Sequence, residues 1–85
     1  MKYKVFLERK AQKQLDGLDP SISGVIKDKI TKLKSGFSPE LDIRKLKGYK
    51  NHYRLRVREY RVLFELQEGY VIVIYAILPR RRAYK

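Results

Sequence analysis

Tyr3, Val5 and Leu7 alternate with polar neighbours, so residues 2–8 read as a strand with one buried face. The period then lengthens. Ala11, Leu15 and Leu18 recur at helical spacing and predict a short helix ending near Gly17 and Leu18. Asp19-Pro20 reads as a helix start, with the acid as cap and the proline at the first helical position. Ile22, Val25, Ile26, Ile30 and Leu33 form the apolar stripe of a second helix, which runs to about Lys34 and is stopped by Gly36.

Residues 36–51, with Pro39, Gly48 and many lysines, read as a loop. Beyond them the period falls to two. Tyr53, Leu55 and Val57 alternate with Arg54, Arg56 and Arg58, and then Tyr60, Val62, Phe64 and Leu66 alternate with Arg61, Leu63 and Glu65. A turn at Gln67-Glu68-Gly69 leads into Tyr70–Leu78, apolar on both faces and rich in β-branched residues, which predicts a central strand ended by Pro79. No repeat, low-complexity stretch or linker interrupts this order, so residues 1–85 read as a single domain. The pattern β-α-α-β-β-β predicts an α+β fold: an antiparallel-rich twisted sheet of about four strands with an N-terminal two-helix hairpin packed on one face. The other face is left to water.

Composition narrows the chemistry. With 44% hydrophobic residues in 85, the chain can bury one core, though a domain this small has little stability to spare. The absence of cysteine removes a disulfide framework and thiolate metal sites. His52 is the only histidine, which excludes a histidine-pair ribonuclease, and its position suggests a surface residue at a strand entrance. The nine acids show no close pair with metal-ligand spacing, so no metal and no cofactor is expected. Tyr70–Leu78 is too short to cross a bilayer, and Met1-Lys2-Tyr3-Lys4 lacks the apolar core of a signal peptide. A reducing cytoplasm and no membrane partner are the expectation.

Charge points to the partner. Twenty-one Lys and Arg against nine Asp and Glu leave a formal charge of +12, a field that favours polyanions, of which nucleic acid is the commonest. The charge is clustered. Between Asp42 and Arg61 stand Arg44, Lys45, Lys47, Lys50, Arg54, Arg56, Arg58 and Arg61 against only Asp42 and Glu59, and Arg80-Arg81-Arg82 and Lys85 close the chain. If Tyr53, Leu55 and Val57 face the helices, Arg54 and Arg56 stand about 7 Å apart on the open face. Arg61 joins them from the next strand, and Arg80, Arg81, Arg82 and Tyr84 arrive near the sheet's edge. Such a face suits phosphate gripping and base stacking, with Lys45, Lys47, Lys50, Arg58, Arg81 and Arg82 as the surrounding RNA contacts. Exposed arginines crowded together repel, so Arg54→Ala, Arg56→Ala and Arg61→Ala are expected to leave the melting temperature unchanged or slightly raised. Tyr3, Tyr53, Tyr60 and Tyr75 lie at strand positions and read as core. Tyr49 and Tyr70 offer at most base stacking. A non-catalytic RNA-binding module would use the same arginine face.

Lys45-Leu46-Lys47-Gly48, Tyr53-Arg54-Leu55-Arg56-Val57, Tyr60-Arg61-Val62 and the ending Arg80-Arg81-Arg82-Ala83-Tyr84-Lys85 resemble the RelE/ParE superfamily of type II toxins along essentially the whole chain. The resemblance to the RelE branch implies a ribosome-dependent, metal-independent endoribonuclease that cleaves mRNA in the A site and inhibits translation. It places the catalytic set on Arg54, Arg56, Arg61, Arg80 and Tyr84, with Arg81 as a register alternative to Arg80. It also implies a cognate antitoxin with a partly acidic, helical segment, a toxin that is monomeric alone, and a larger complex with the antitoxin. Two departures stand out. Arginines replace the lysines that the best-known members carry at positions 54 and 56, and the tail between Arg80 and Tyr84 is shorter than in some relatives. The ParE branch, which implies gyrase poisoning, is the alternative.

Overall fold

The computed structural model describes residues 2–83. Its elements are β1 (Lys4–Leu7), α1 (Arg9–Asp16), α2 (Pro20–Leu33), β2 (Asp42–Lys45), β3 (His52–Val57), β4 (Tyr60–Gln67), β5 (Val71–Pro79) and α3 (Arg80–Ala83). One sheet of order β1-β5-β4-β3-β2 carries all five strands. β1 runs parallel to β5 and the remaining pairs are antiparallel, so the α+β arrangement with helices on one face is as expected.

The helices form where the apolar stripe predicts. Ala11 and Leu15 of α1, and Ile26, Ile30 and Leu33 of α2, are buried against Leu55, Val57, Val62, Phe64, Ile72, Ile74 and Ile77 of the sheet. Pro20 sits in the first turn of α2, but Asp19 caps through its backbone carbonyl, which accepts from the N–H groups of Ile22 and Ser23, and not through its carboxylate. At the other end Gly36 adopts φ 114°, a conformation that disfavours any side chain, and its N–H returns to the Leu33 carbonyl at 3.0 Å. Phe37 then folds over the end of the core, its ring 5.2 Å from Tyr53 and 5.8 Å from Phe64.

One expectation is corrected. The segment read as a loop contains β2, which pairs with β3 in the register Asp42↔Arg56, Ile43↔Leu55, Arg44↔Arg54 and Lys45↔Tyr53. Three of its four residues are charged, and only Ile43 turns to the core, so it carries no apolar alternation to read. Charged residues are what an edge strand tolerates and what discourages further pairing.

β1 is short and leaves part of β5 uncovered. Their pairing ends at Leu7↔Ile74, and farther along the Ile77 N–H donates to the Gln14 side-chain oxygen at 2.7 Å. Gln14→Leu keeps similar bulk but orphans that N–H, which should cost about 1–3 kcal/mol. For a domain of this size each kcal/mol lowers the melting temperature by roughly 4–8 °C. Gln14→Glu retains an acceptor and should melt close to the parent; equal melting of all three proteins would show that the bond carries no stability.

Candidate nucleic-acid interface

Cross-strand register sorts the sheet's open face into three rungs. The first holds Asp42, Arg56, Arg61 and Leu78, the second Arg44, Arg54, Leu63 and Ala76, and the third His52, Glu65, Val73 and Phe6. Alternation therefore puts Arg54, Arg56 and Arg61 on the side away from the helices, as expected. Together with Arg44, Lys45, Lys47 and Arg80 they line a cleft of about 470 Å³. Asp42 is the acid among its described lining residues. The backbone N–H of Arg80 donates to the Glu59 carbonyl at 2.7 Å, which ties the start of α3 to the β3–β4 turn and holds Arg80 at the rim.

The depth of these arginines differs from the expectation. Arg56 and Arg80 are exposed, but Arg54 keeps only 7% and Arg61 only 2% of its surface open to solvent. The rungs explain why: Arg61 stands between Arg56 and Leu78, and Arg54 between Arg44 and Leu63, so their stems lie within a row of neighbours. A buried guanidinium needs partners. Arg54 Nη2 stands 3.6 Å from Asp42 Oδ1, and Arg61 Nη1 donates to the Tyr60 carbonyl at 3.2 Å. The cleft thus has a floor of two held guanidinium groups and a rim of exposed cations.

The other sequence-predicted positions divide. Lys45 and Lys47 line the cleft; Lys50 lines the adjoining loop hollow with Tyr49. Arg58 occupies the β3–β4 turn at φ 53°, exposed and outside the cleft lining. Arg81 is exposed on α3. The Arg82 side chain and Tyr84 lie outside the described residues. Arg44 and Asp42 were missed as site residues because their segment read as loop. The signal that could have found them is the pairing of alternate charges, Asp42 and Arg44, with the arginines of β3.

A second cluster occupies the third rung. The β4–β5 register moves from Leu63↔Ala76 to Phe64↔Ile74, leaving Tyr75 as the extra residue of a bulge. Tyr75 is therefore not a core residue. Its hydroxyl shares a 3.0 Å hydrogen bond with His52 Nδ1, the direction following the imidazole tautomer, while His52 Nε2 stands 3.8 Å from Glu65. Burial pushes the Tyr75 phenol above its ordinary range, and Glu65 and Tyr49 push the same way, so it stays protonated at neutral pH. His52 is accordingly half-buried and partnered, more than a lone surface residue. Among the described residues, no group of three or more His, Asp or Glu stands close enough to hold a metal ion.

The fold and the cleft define a small, strongly cationic α+β domain, whose field favours polyanions. More specifically, the chain belongs to the RelE/ParE superfamily of toxins: the family model described as ParE toxin of type II toxin-antitoxin system, parDE, matches residues 5–84. A full-length relative is the candidate toxin RelE1 of Methanocaldococcus jannaschii, 35% identical over 88 residues that cover 100% of this chain and 98% of that one. The fold is similar to a chain of the archaeal RelE-RelB complex from Pyrococcus horikoshii, with a TM-score of 0.82 and 28% identity over 96% of this chain and 99% of the other. It is also similar to a chain of the RelB-RelE antitoxin-toxin complex from Methanococcus jannaschii, with a TM-score of 0.79 and 31% identity over 94% and 95%.

Proposed function

We propose that this toxin is a ribosome-dependent endoribonuclease that cuts messenger RNA in the A site without a metal and so stops translation in the cytoplasm. The observation that carries this reading is the convergence of Arg54, Arg56, Arg61 and Arg80 in one cleft of a chain similar to RelE proteins over its full length. In the proposed reaction a ribose 2′-oxygen attacks the adjacent phosphorus. Its proton passes to a base, the role assigned to the tyrosinate form of Tyr84, and the bond from phosphorus to the 5′-oxygen breaks as that oxygen takes a proton from water. The products are a 2′,3′-cyclic phosphate and a 5′-hydroxyl.

The arginines serve charge rather than proton transfer, because guanidinium does not readily release a proton. Arg54 and Arg61 are held in place before substrate arrives. Donors fixed in advance stabilise developing phosphorane charge without reorganising during the step. Proton transfer is the weak part. A tyrosine of ordinary pKa near 10 is ionised in about one molecule in a thousand at neutral pH. Guanidinium groups beside such a tyrosine would favour tyrosinate, and general acid–base help supplies about 10²–10⁴-fold. Holding the message bent in the A site, with the 2′-oxygen in line, can contribute roughly 7–11 kcal/mol more. Free RNA should therefore be cut slowly or not at all.

Mapping the ends of a message cut on programmed ribosomes tests the reading. Cyclic-phosphate and 5′-hydroxyl ends, formed equally when EDTA is added after the complex assembles, are expected. A 5′-phosphate end, or rapid cutting of naked RNA that needs added Mg²⁺, would overturn it. The description of the matching family model favours one second reading, gyrase poisoning of the ParE kind. Trapped gyrase–DNA cleavage complexes with intact message would establish that instead. In either case we expect a cognate antitoxin whose flexible, partly acidic helical segment covers this basic face, forming a larger complex from a toxin monomeric alone. The RelE–RelB pairing named for the similar structures supports such a partner.

A further inference from the structure

We propose that Tyr49, His52 and Tyr75 form a stacking subsite for one unpaired nucleobase of the RNA whose phosphate lies in the arginine cleft. The inference rests on the RNA reading above and deepens it. Three aromatic rings run together on the open face: Tyr49 and His52 have centroids 5.8 Å apart, and His52 and Tyr75 5.4 Å. His52 lies on the same face of β3 as Arg54, two residues away, which is about 7 Å along the strand. The patch therefore begins where the cleft ends.

The rings are oriented rather than loose. His52 is held by the Tyr75 hydroxyl on one nitrogen and faces Glu65 with the other. Tyr49 rides a loop that is closed by the Leu46 N–H donating to the His52 carbonyl at 2.9 Å. Gly48 at φ 81° and Asn51 at φ 61° bend that loop into a fixed shape on either side of the ring. Packing does not account for Tyr49, which is 63% exposed and stands outside the core cluster. Lys45, Lys47 and Lys50 line the same hollow as it does. Cations along a backbone path, with aromatic faces beside them, are the composition of single-strand recognition, and an aromatic face accepts any base.

The test is anisotropy of a labelled, 2′-O-methylated octanucleotide, uncleavable by the proposed reaction, together with a series bearing one abasic residue at each position. One abasic position should weaken binding to the parent about 10-fold, within the range that base–aromatic stacking spans. Tyr49→Ala and His52→Ala should weaken binding of the intact strand by a similar factor and leave binding of that abasic strand unchanged. Tyr49→Phe should bind as the parent does. Tyr49 is exposed in a loop, so unfolding does not confound its variants. Equal binding of the intact strand and every abasic strand, with a normal salt slope, would overturn the stacking site and leave the phosphate-binding cleft standing. A base-dependent loss that Tyr49→Ala does not reproduce would assign the stacking elsewhere and overturn it too. No binding of any strand would overturn the RNA reading as a whole.

Discussion

Arg56→Ala should slow ribosome-dependent cleavage about 10²- to 10³-fold while leaving the fold as stable as before or slightly more so. Arg56 is the exposed guanidinium over the cleft floor, flanked in its rung by Asp42 and Arg61. Its removal buries nothing and orphans nothing. It also relieves a like-charge pair directly across the strands, an arrangement that costs stability. The catalytic loss follows from the proposed chemistry, since deleting one donor to a developing anion typically costs about 10²–10³ in rate. Arg56→Lys keeps the charge but not the two-pronged geometry, and should fall between parent and alanine. Single-turnover cutting on programmed ribosomes, with a thermal melt of each variant, reads both effects. Cleavage at the parental rate by the alanine variant would remove Arg56 from the reaction.

The same pair of neighbours shows how far a sequence can be read. Period-two alternation from Tyr53 to Leu66 identified both strands of the central hairpin and assigned Arg54, Arg56 and Arg61 to the correct side. Alternation reports side and not depth. Depth is set by what stands next to a residue across the strands, and that register is non-local. Arg44 enters the second rung only because β2 pairs with β3, and Leu78 enters the first only through β5. β2 was invisible because a four-residue edge strand needs a single apolar residue, Ile43, to hold it. Tyr75 was misread for another local reason: the bulge at its position shifts the alternation by one, and nothing in an all-apolar run announces such a shift. The helices α1 and α2 were legible, because Ala11, Leu15, Ile26, Ile30 and Leu33 each occupy a stripe that has only one place to go, whereas the single turn of α3 carries no such stripe.

Burial reverses the stability expected of Arg61→Ala. An exposed arginine in this charged face would have been neutral to remove. At 2% exposure, with its guanidinium donating to the Tyr60 carbonyl, Arg61 fills space that alanine leaves empty. Truncating a large buried side chain typically costs about 2–5 kcal/mol. Relief of the repulsion from Arg56 offsets part of this, by up to about 1 kcal/mol. A net loss of about 1–5 kcal/mol is a large share of the 5–15 kcal/mol that holds a typical domain together. It should lower the melting temperature by roughly 4–8 °C for each kcal/mol. Arg54→Ala should behave similarly, and it also leaves the Asp42 carboxylate without its 3.6 Å neighbour. Arg61→Met separates packing from charge. Methionine restores most of the volume in an apolar form, and replacing a buried ion by a well-packed hydrophobe is often neutral or stabilising. Its melting temperature should return close to the parent, while cleavage stays as low as in Arg61→Ala because the missing charge is the one the phosphorane needs. A parental melting temperature in Arg61→Ala would mean the side chain is not buried in solution. Parental cleavage in the folded Arg61→Met protein would show that the cleft floor acts through its shape alone.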